Sequence, residues 1–270
     1  MSWKILLIIV LAPSVAWSAP SFLFTSFEPF GGRSQNLSQE VVTELIKLMD
    51  QAHPDWVVSS CILPVVYDRA AAVAQECLKK LDLVDTVISF GEGGCQMRLE
   101  TAAHNWDQAP GFPDNDGNIR SGSPIFLGAP PHLGLRWPAD QMFCALSEAD
   151  QSKVLISESP GAFVCNNTAY RLAAGLSNVS LLQYGFIHVP PKSCGSSAND
   201  PAKNAAIILR LIEGAVSFNR TRVPPDYPLP HRGSKAKMPV SRVEIDHALE
   251  KNLLPCSRRF LEKLREKVVD

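Results

Sequence analysis

The stretch Lys153–Leu176, KVLISESPGAFVCNNTAYRLAAGL, decides the fold of this chain. It begins with the apolar run Val154–Ile156, which is short enough to form a buried strand. Turn-forming residues follow, and a helical pattern then places the apolar side chains on one helix face. Cys165 therefore lies near the start of a helix, where unpaired backbone N–H groups favour the thiolate form of a cysteine.

A second strand, Tyr184–Val189, follows this helix and carries His188 near its end. The pattern predicts a right-handed, parallel strand–helix–strand unit, whose strands would be neighbours roughly 5 Å apart. Cys165 and His188 would then meet at the carboxyl edge of the sheet, where open α/β sheets place their sites. A thiol beside an imidazole suits nucleophilic catalysis. A cysteine on an apolar helix face is also often an inert core residue, so both interpretations stay open here.

Strands and helices alternate along most of the chain. Further buried strands are predicted at residues 21–25, 56–66 and 84–90. Helical patterns are found at residues 38–49, 68–81 and 201–216. This alternation predicts an α/β fold: a three-layer α/β/α sandwich around a mostly parallel twisted sheet, in a single domain of residues 19–218. Residues 219–270 are interpreted as a Pro-rich linker and a helical C-terminal extension that packs on this domain as an arm.

Residues 1–18 have the pattern of a signal peptide. A lysine precedes the apolar run Ile5–Ala12, and Ala16 and Ser18 are small residues at the positions that a signal peptidase reads. We expect the mature chain to begin near Ala19 and to be exported, either periplasmic or secreted. The alternative, a retained membrane anchor, is disfavoured because the run is short, so no integral membrane segment is expected after cleavage.

The chain contains seven cysteines, so at least one stays unpaired in an oxidising compartment. One free nucleophile with up to three disulfides fits this number, and so do seven reduced thiols. The spacings do not determine the connectivity. Our working hypothesis is a Cys194–Cys256 disulfide, which would tie the C-terminal extension beside the His188 strand. The spacings contain no metal-binding pattern, and we expect no metal or organic cofactor.

Charge gives no indication of a nucleic acid partner. The chain has 26 basic and 27 acidic residues and a formal net charge of −1. Like charges do not form long runs. The sequence leaves open whether copies of the chain form a homo-oligomer.

Two loops directly after predicted strands have the composition of binding-site walls. Ser26–Gly32 holds Phe27 and Phe30 around a proline, and its two glycines allow a sharp turn. Gly91–Gly94 follows the third predicted strand but lacks the residues of a P-loop and the spacing of a dinucleotide-binding loop. Loops at strand ends commonly carry binding residues, although the two phenylalanines would equally well fill the core.

Four stretches together resemble the pyroglutamyl peptidase I family of cysteine peptidases. They are FEPFGG at 27–32, GEGG at 91–94 with Glu100 following, GAFVCN at 161–166, and GFIHVP at 185–190. Their order and spacing agree with the family over residues 21–217.

The resemblance implies an omega peptidase that removes an N-terminal pyroglutamyl residue through a thioester intermediate. It implies a catalytic triad of Glu100, Cys165 and His188, with no cofactor, and peptide substrates whose N-terminus is blocked. It also implies a pocket for the five-membered lactam ring, with substrate-binding residues Phe27, Phe30, Asn36, Phe163 and Val164.

The chain departs from the family pattern beside this pocket. The family usually reads Gly-Gln-Ala-Gly-Gly-Arg after the third strand, where this chain has Gly91–Cys95, and the family's arginine before Pro-Asp-Asn is replaced by Gly111. Glu92 is therefore a further candidate substrate-binding residue: its carboxylate could attract a free α-amine and relax the specificity, or could point into solvent. Two alternatives follow: an aminopeptidase with altered specificity, and an exported, non-catalytic binding protein on the same fold.

Overall fold

A computed structural model describes residues 19–179, 182–195, 199–221 and 255–265 of the 270-residue chain. The expected signal peptide and most of the expected linker lie outside these residues. The strands are β1 Ser21–Phe27, β2 Val57–Leu63, β3 Thr86–Glu92, β4 Met97–Glu100, β5 Ala102–His104, β6 Asp107–Gln108, β7 Ser121–Ser123, β8 His132–Gly134, β9 Val154–Ser157 and β10 Gln183–Val189. The helices are α1 Leu37–Ala52, α2 Arg69–Lys79, α3 Ala139–Cys144, α4 Glu148–Gln151, α5 Val164–Leu176, α6 Pro201–Thr221 and α7 Pro255–Arg265.

The central sheet has six strands in the order β2-β1-β3-β10-β4-β9. The first four run parallel to one another, β4 is antiparallel to β10, and β9 is parallel to β4. Helices α1, α3 and α6 pack together, and α2 packs with α5. Every residue of β1 is buried, as expected for a strand covered on both faces. A mostly parallel sheet with helices on its faces confirms the predicted α/β sandwich.

One predicted feature of the sheet is wrong: the strands on either side of α5 are not parallel neighbours. Strand β4 lies between β9 and β10, and β9 runs antiparallel to β10. Only residues 93–96 connect β3 to β4, which is too short for the crossover that a parallel return needs. The extended segment that ends at Glu100 therefore enters the sheet antiparallel, directly beside the strand of His188.

Three disulfides join cysteines of the described residues. They are Cys61–Cys77, Cys95–Cys194 and Cys144–Cys256, with Cα–Cα distances of 6.4, 5.2 and 5.3 Å. Cys165 is free. Of the two arrangements that the sequence left open, the structure has one free cysteine with three disulfides. The hypothesised Cys194–Cys256 pairing is wrong. Cys194 follows β10 and meets Cys95 on the adjacent β3–β4 loop, while Cys256 lies on α7 and meets Cys144 at the end of α3.

The described part of the C-terminal extension packs on the main domain, as expected. Helix α7 contacts α3 and β9 and is held by the Cys144–Cys256 disulfide. Arg259 forms an ion pair with Glu148, and Lys263 Nζ donates a hydrogen bond to the Gln151 carbonyl oxygen at 2.7 Å. The division at residue 218 stays a prediction, and α6 runs through that position. Among the described residues, no helix combines the length and apolar character that a membrane span needs.

Candidate active site

A pocket of about 240 Å³ lies at the carboxyl ends of the central parallel strands. Phe27 from β1, Glu92 from β3 and His188 from β10 all line it. Cys165 lines it from the second position of α5. The structure therefore brings the cysteine and the histidine together at the predicted sheet edge, although the strand order that led to this expectation was wrong.

Cys165 sits where the start of α5 meets the end of β3. The helix begins at Val164, and no side chain of the described residues caps it, since Phe163 occupies the N-cap position. Backbone N–H groups in a first helical turn lack intrahelical partners. A Cβ atom on Gly91 would lie 2.8 Å from the Cys165 sulfur. Position 91 must therefore be glycine for the thiol to occupy this place.

His188 and Glu100 form a buried pair beside the thiol. His188 Nδ1 lies 2.8 Å from Glu100 Oε1, and the two side chains are 4% and 0% exposed. The antiparallel register explains the contact: Glu100 pairs with Phe186, so it lies on the same sheet face as His188. Because Nδ1 is hydrogen-bonded to Glu100, Nε2 is the ring nitrogen that remains available to interact with Cys165.

The pKa of His188 is raised by its two partners. Burial alone lowers it, but the hydrogen bonds to Cys165 and Glu100 and the negative charges of both groups outweigh burial and raise the pKa of His188 to about 9. The imidazole is thus protonated at neutral pH. This positive charge beside the Cys165 sulfur is what a thiolate nucleophile requires.

Aromatic side chains form a wall of the pocket. The rings of Phe30 and Phe163 have centroids 6.1 Å apart, and Tyr67 meets Phe163 edge-on at 5.4 Å. Phe27 and Val164 are buried and also line the pocket. All the apolar residues predicted as substrate-binding therefore reach the pocket. Such a wall suits a flat, neutral ring.

Asn36 lines the pocket, but its amide group is already bonded to the protein. The side chain is buried and caps α1: Oδ1 accepts a hydrogen bond from the Ser38 N–H at 3.1 Å. Nδ2 donates to the Glu28 carbonyl oxygen at 3.0 Å. Asn36 therefore holds the loop after β1 in place, and through that loop it positions Phe30.

The side chain of Glu92 is buried and paired, which differs from both sequence-based expectations. Its side chain is only 4% exposed, so it does not point into solvent. Oε1 accepts the Leu37 N–H at 2.6 Å, and Oε2 forms an ion pair with Arg33. The Arg33 guanidinium also lies 4.2 Å above the Phe30 ring. The Glu92 charge is thus neutralised inside the protein and helps to hold the aromatic wall.

Sequence reasoning missed several residues that shape the site. Arg98 lines the pocket from β4, and Arg33 neutralises Glu92. Asn166 Oδ1 accepts from the His104 N–H at 2.9 Å, while Nδ2 donates to the Trp106 carbonyl oxygen at 2.8 Å. Asn166 therefore fixes the start of α5 against the segment after Glu100. Arg98 had a signal, because it precedes Glu100 by two residues in an extended segment and so shares its face.

The described residues contain no group of three or more His, Cys, Asp or Glu side chains that could hold a metal ion. A free thiol at a helix start, a protonated imidazole and a buried carboxylate together define a nucleophilic cysteine site.

Comparison with known proteins identifies the family to which the chain belongs. The family model described as pyroglutamyl peptidase matches residues 21–216, a range that contains the whole pocket. The chain belongs to the pyroglutamyl peptidase family.

Relatives of known sequence and structure agree with this assignment. The chain is 32% identical over 203 residues to the pyrrolidone-carboxylate peptidase of Escherichia fergusonii, covering 72% of this chain and 90% of the relative. It is 33% identical over 202 residues to that of Alkaliphilus oremlandii, with the same coverage. The crystal structure of pyroglutamyl peptidase I from Bacillus amyloliquefaciens superposes with a TM-score of 0.61 at 29% identity, covering 73% of this chain and 97% of the other.

Proposed function

We propose that this protein is a cysteine-type omega peptidase that removes an N-terminal pyroglutamyl residue from peptides. The observation that carries the proposal is the contact of Cys165, His188 and Glu100 beside an apolar pocket. Its relatives, named pyrrolidone-carboxylate peptidase and pyroglutamyl peptidase I, support the same reaction.

The reaction follows from the position of each group. The Cys165 thiolate attacks the carbonyl carbon of the pyroglutamyl residue, and the oxyanion accepts hydrogen bonds from N–H groups of the first turn of α5. His188 gives its proton to the leaving amine, which departs and leaves a thioester on Cys165. Neutral His188 then takes a proton from water, the resulting hydroxide attacks the thioester, and Cys165 leaves as thiolate beside protonated His188, which restores the starting pair. Glu100 keeps Nδ1 protonated and stabilises the imidazolium.

The pocket suits substrates whose N-terminus is blocked. Its aromatic wall fits a neutral lactam, whereas a protonated α-amine would have to be buried without a free carboxylate. The carboxylate of Glu92 is already paired with Arg33, and burial of an unpaired charge is costly. The lack of a free carboxylate for an α-ammonium group argues against an aminopeptidase with altered specificity. A binding protein would have no need of a buried imidazolium–carboxylate pair against a free thiol, so that alternative is not favoured either.

A panel of three aminomethylcoumarin amides tests this proposal: pyroglutamyl, prolyl and glutamyl. We expect the purified protein to prefer the pyroglutamyl amide by at least about 100-fold in kcat/KM, because the other two carry an ammonium group that the pocket leaves unpaired. In Glu92→Gln, the ratios of kcat/KM between the pyroglutamyl amide and each of the other two amides should stay within about twofold of the wild-type ratios. A twofold change corresponds to about 0.4 kcal/mol in transition-state stabilisation. The same variant should have a lower Tm, because Arg33 loses its ionic partner.

Two results of this panel would contradict the account. Release from the prolyl or glutamyl amide at a rate equal to that from the pyroglutamyl amide would remove the proposed specificity. A large gain in glutamyl cleavage in Glu92→Gln would show that this carboxylate takes part in selection.

We further propose that the protein is exported, periplasmic or secreted, and that its mature chain begins near Ala19. The pattern of residues 1–18 supports this, and three disulfides are what an oxidising compartment favours. N-terminal sequencing of the native protein should find Ala19 or a close neighbour as the first residue. An intact Met1 would contradict the proposal.

A further inference from the structure

Arg98 is a charged residue of the pocket that the reaction above does not use. Its side chain lines the pocket together with Gly94 and His188. Among the residues that the structure describes, Arg98 has no carboxylate partner, in contrast to Arg33, which pairs with Glu92. A guanidinium group is always charged and carries donors arranged to meet a carboxylate. An unpaired guanidinium in a substrate pocket therefore indicates an anionic group on the substrate.

The position of Arg98 is set by the sheet and by a glycine. Arg98 pairs with His188 in the register of β4 and β10, so both side chains lie on the same face. A Cβ atom on Gly94 would lie 2.5 Å from Arg98 Nη2. A larger side chain at this position would therefore displace the guanidinium from its place against the β3–β4 loop.

The chemistry decides which part of the substrate would meet Arg98. In the proposed reaction, the lactam ring would lie against the aromatic wall of Phe30 and Phe163, and the scissile carbonyl would lie at Cys165. His188 must reach the leaving amine to protonate it, so the residue that follows pyroglutamate lies on the histidine side of the pocket. Arg98 is the cross-strand neighbour of His188 in the sheet and lines the same pocket.

We propose that Arg98 is a specificity-determining residue that binds a carboxylate on the residue following pyroglutamate. This inference rests on the proposed function and adds a substrate class to it. The carboxylate has two sources: the free C-terminus of a pyroglutamyl dipeptide, or an aspartate or glutamate side chain in the second position. Either one can accept two parallel N–H bonds from the guanidinium, the strongest class of charge-assisted hydrogen bond.

Two matched pairs of substrates distinguish the sources. Pyroglutamyl-alanine is compared with pyroglutamyl-alanine amide, and pyroglutamyl-aspartyl-alanine amide with its asparaginyl counterpart. In at least one pair we expect the wild type to prefer the carboxylate member by about tenfold or more in kcat/KM. Higher ionic strength should reduce this preference. The pair that shows the preference identifies the source of the carboxylate.

Three variants and a control assign the preference to this side chain. In Arg98→Gln, the ratio of kcat/KM between the carboxylate member and the neutral member of the pair should fall close to one. Arg98→Lys should retain part of the wild-type preference for the carboxylate member. Gly94→Ala keeps the charge but displaces the guanidinium, and should lower the ratio as well. Because each ratio compares two substrates in one enzyme, a general loss of activity cancels. Arg210→Gln is the matched control, since Arg210 on α6 pairs with Asp150 and does not line the pocket.

The outcomes separate this inference from the proposed function. If the wild type cleaves both members of each pair equally, or if Arg98→Gln keeps the preference, Arg98 does not bind a substrate carboxylate and the inference is overturned. If the wild type cleaves no pyroglutamyl substrate at all, the proposed function itself fails, and this inference fails with it.

Discussion

Replacement of Cys165 by alanine is expected to lower kcat/KM for a pyroglutamyl amide by at least about 10³-fold, the usual loss when a nucleophile is removed. Cys165 is free, while the other six cysteines are paired in disulfides. Its sulfur lies against Gly91, and it lines the pocket together with His188. No other thiol among the described residues can therefore replace it, and the attack on the carbonyl carbon has no alternative nucleophile.

The folded structure should survive this change, which makes the kinetic result interpretable. Alanine fits at the second position of a helix, and the substitution breaks no disulfide, so the Tm should stay close to that of wild type. The aromatic wall is also intact, so a pyroglutamyl ligand should still bind in calorimetry. The double variant Cys61→Ser/Cys77→Ser is the matched control: it removes sulfur atoms away from the pocket and should lower stability while turnover persists. Wild-type turnover by Cys165→Ala would refute the cysteine mechanism.

Glu100→Gln is expected to produce the second large effect, a loss of about 10² to 10⁴ in kcat/KM. Glutamine has nearly the same shape as glutamate, so the packing around this fully buried side chain is kept. The amide carries no charge, however, and it can present either an oxygen or an N–H group to His188 Nδ1. The imidazolium then loses its negative partner. Glutamine also no longer holds the proton on Nδ1, so the tautomer whose Nε2 is directed towards Cys165 is not maintained.

The pH profile separates this positioning role from a loss of packing. In the wild type, kcat/KM should fall as pH rises through about 9, because His188 then loses the proton that it gives to the leaving amine. Glu100 is one of the two partners that raise this pKa. In Glu100→Gln the alkaline limb should therefore move to lower pH. An alkaline limb that does not move would argue against a direct role for the Glu100 charge.

The sequence predicted those parts of the fold that depend on local patterns. Strand and helix periods identified the α/β class, and turn residues before Cys165 placed the thiol at a helix start. The order of the strands depends on contacts between distant segments, which local patterns do not encode. The insertion of β4 between β9 and β10 could have been inferred only from the short connection after β3.

The same limit applies to charge and disulfide pairing within the site. Glu92 looked like an unpaired carboxylate because its partner, Arg33, lies on a loop far away in sequence. The disulfide of Cys194 depends on the β3–β4 loop lying beside the end of β10, which brings Cys95 within reach. In contrast, the alternation of β4 was visible in the sequence, and it predicts that Arg98 and Glu100 share a face.

The central claim is that Cys165 is the nucleophile of a pyroglutamyl pocket, and covalent labelling tests it most directly. The purified protein is incubated with a pyroglutamyl chloromethyl ketone, and the modified residue is identified by peptide mapping under non-reducing conditions. The account predicts one label per chain, on Cys165, with activity lost in proportion to labelling and with protection by a pyroglutamyl peptide. A label on a different residue, or full labelling of Cys165 with activity retained, would contradict it.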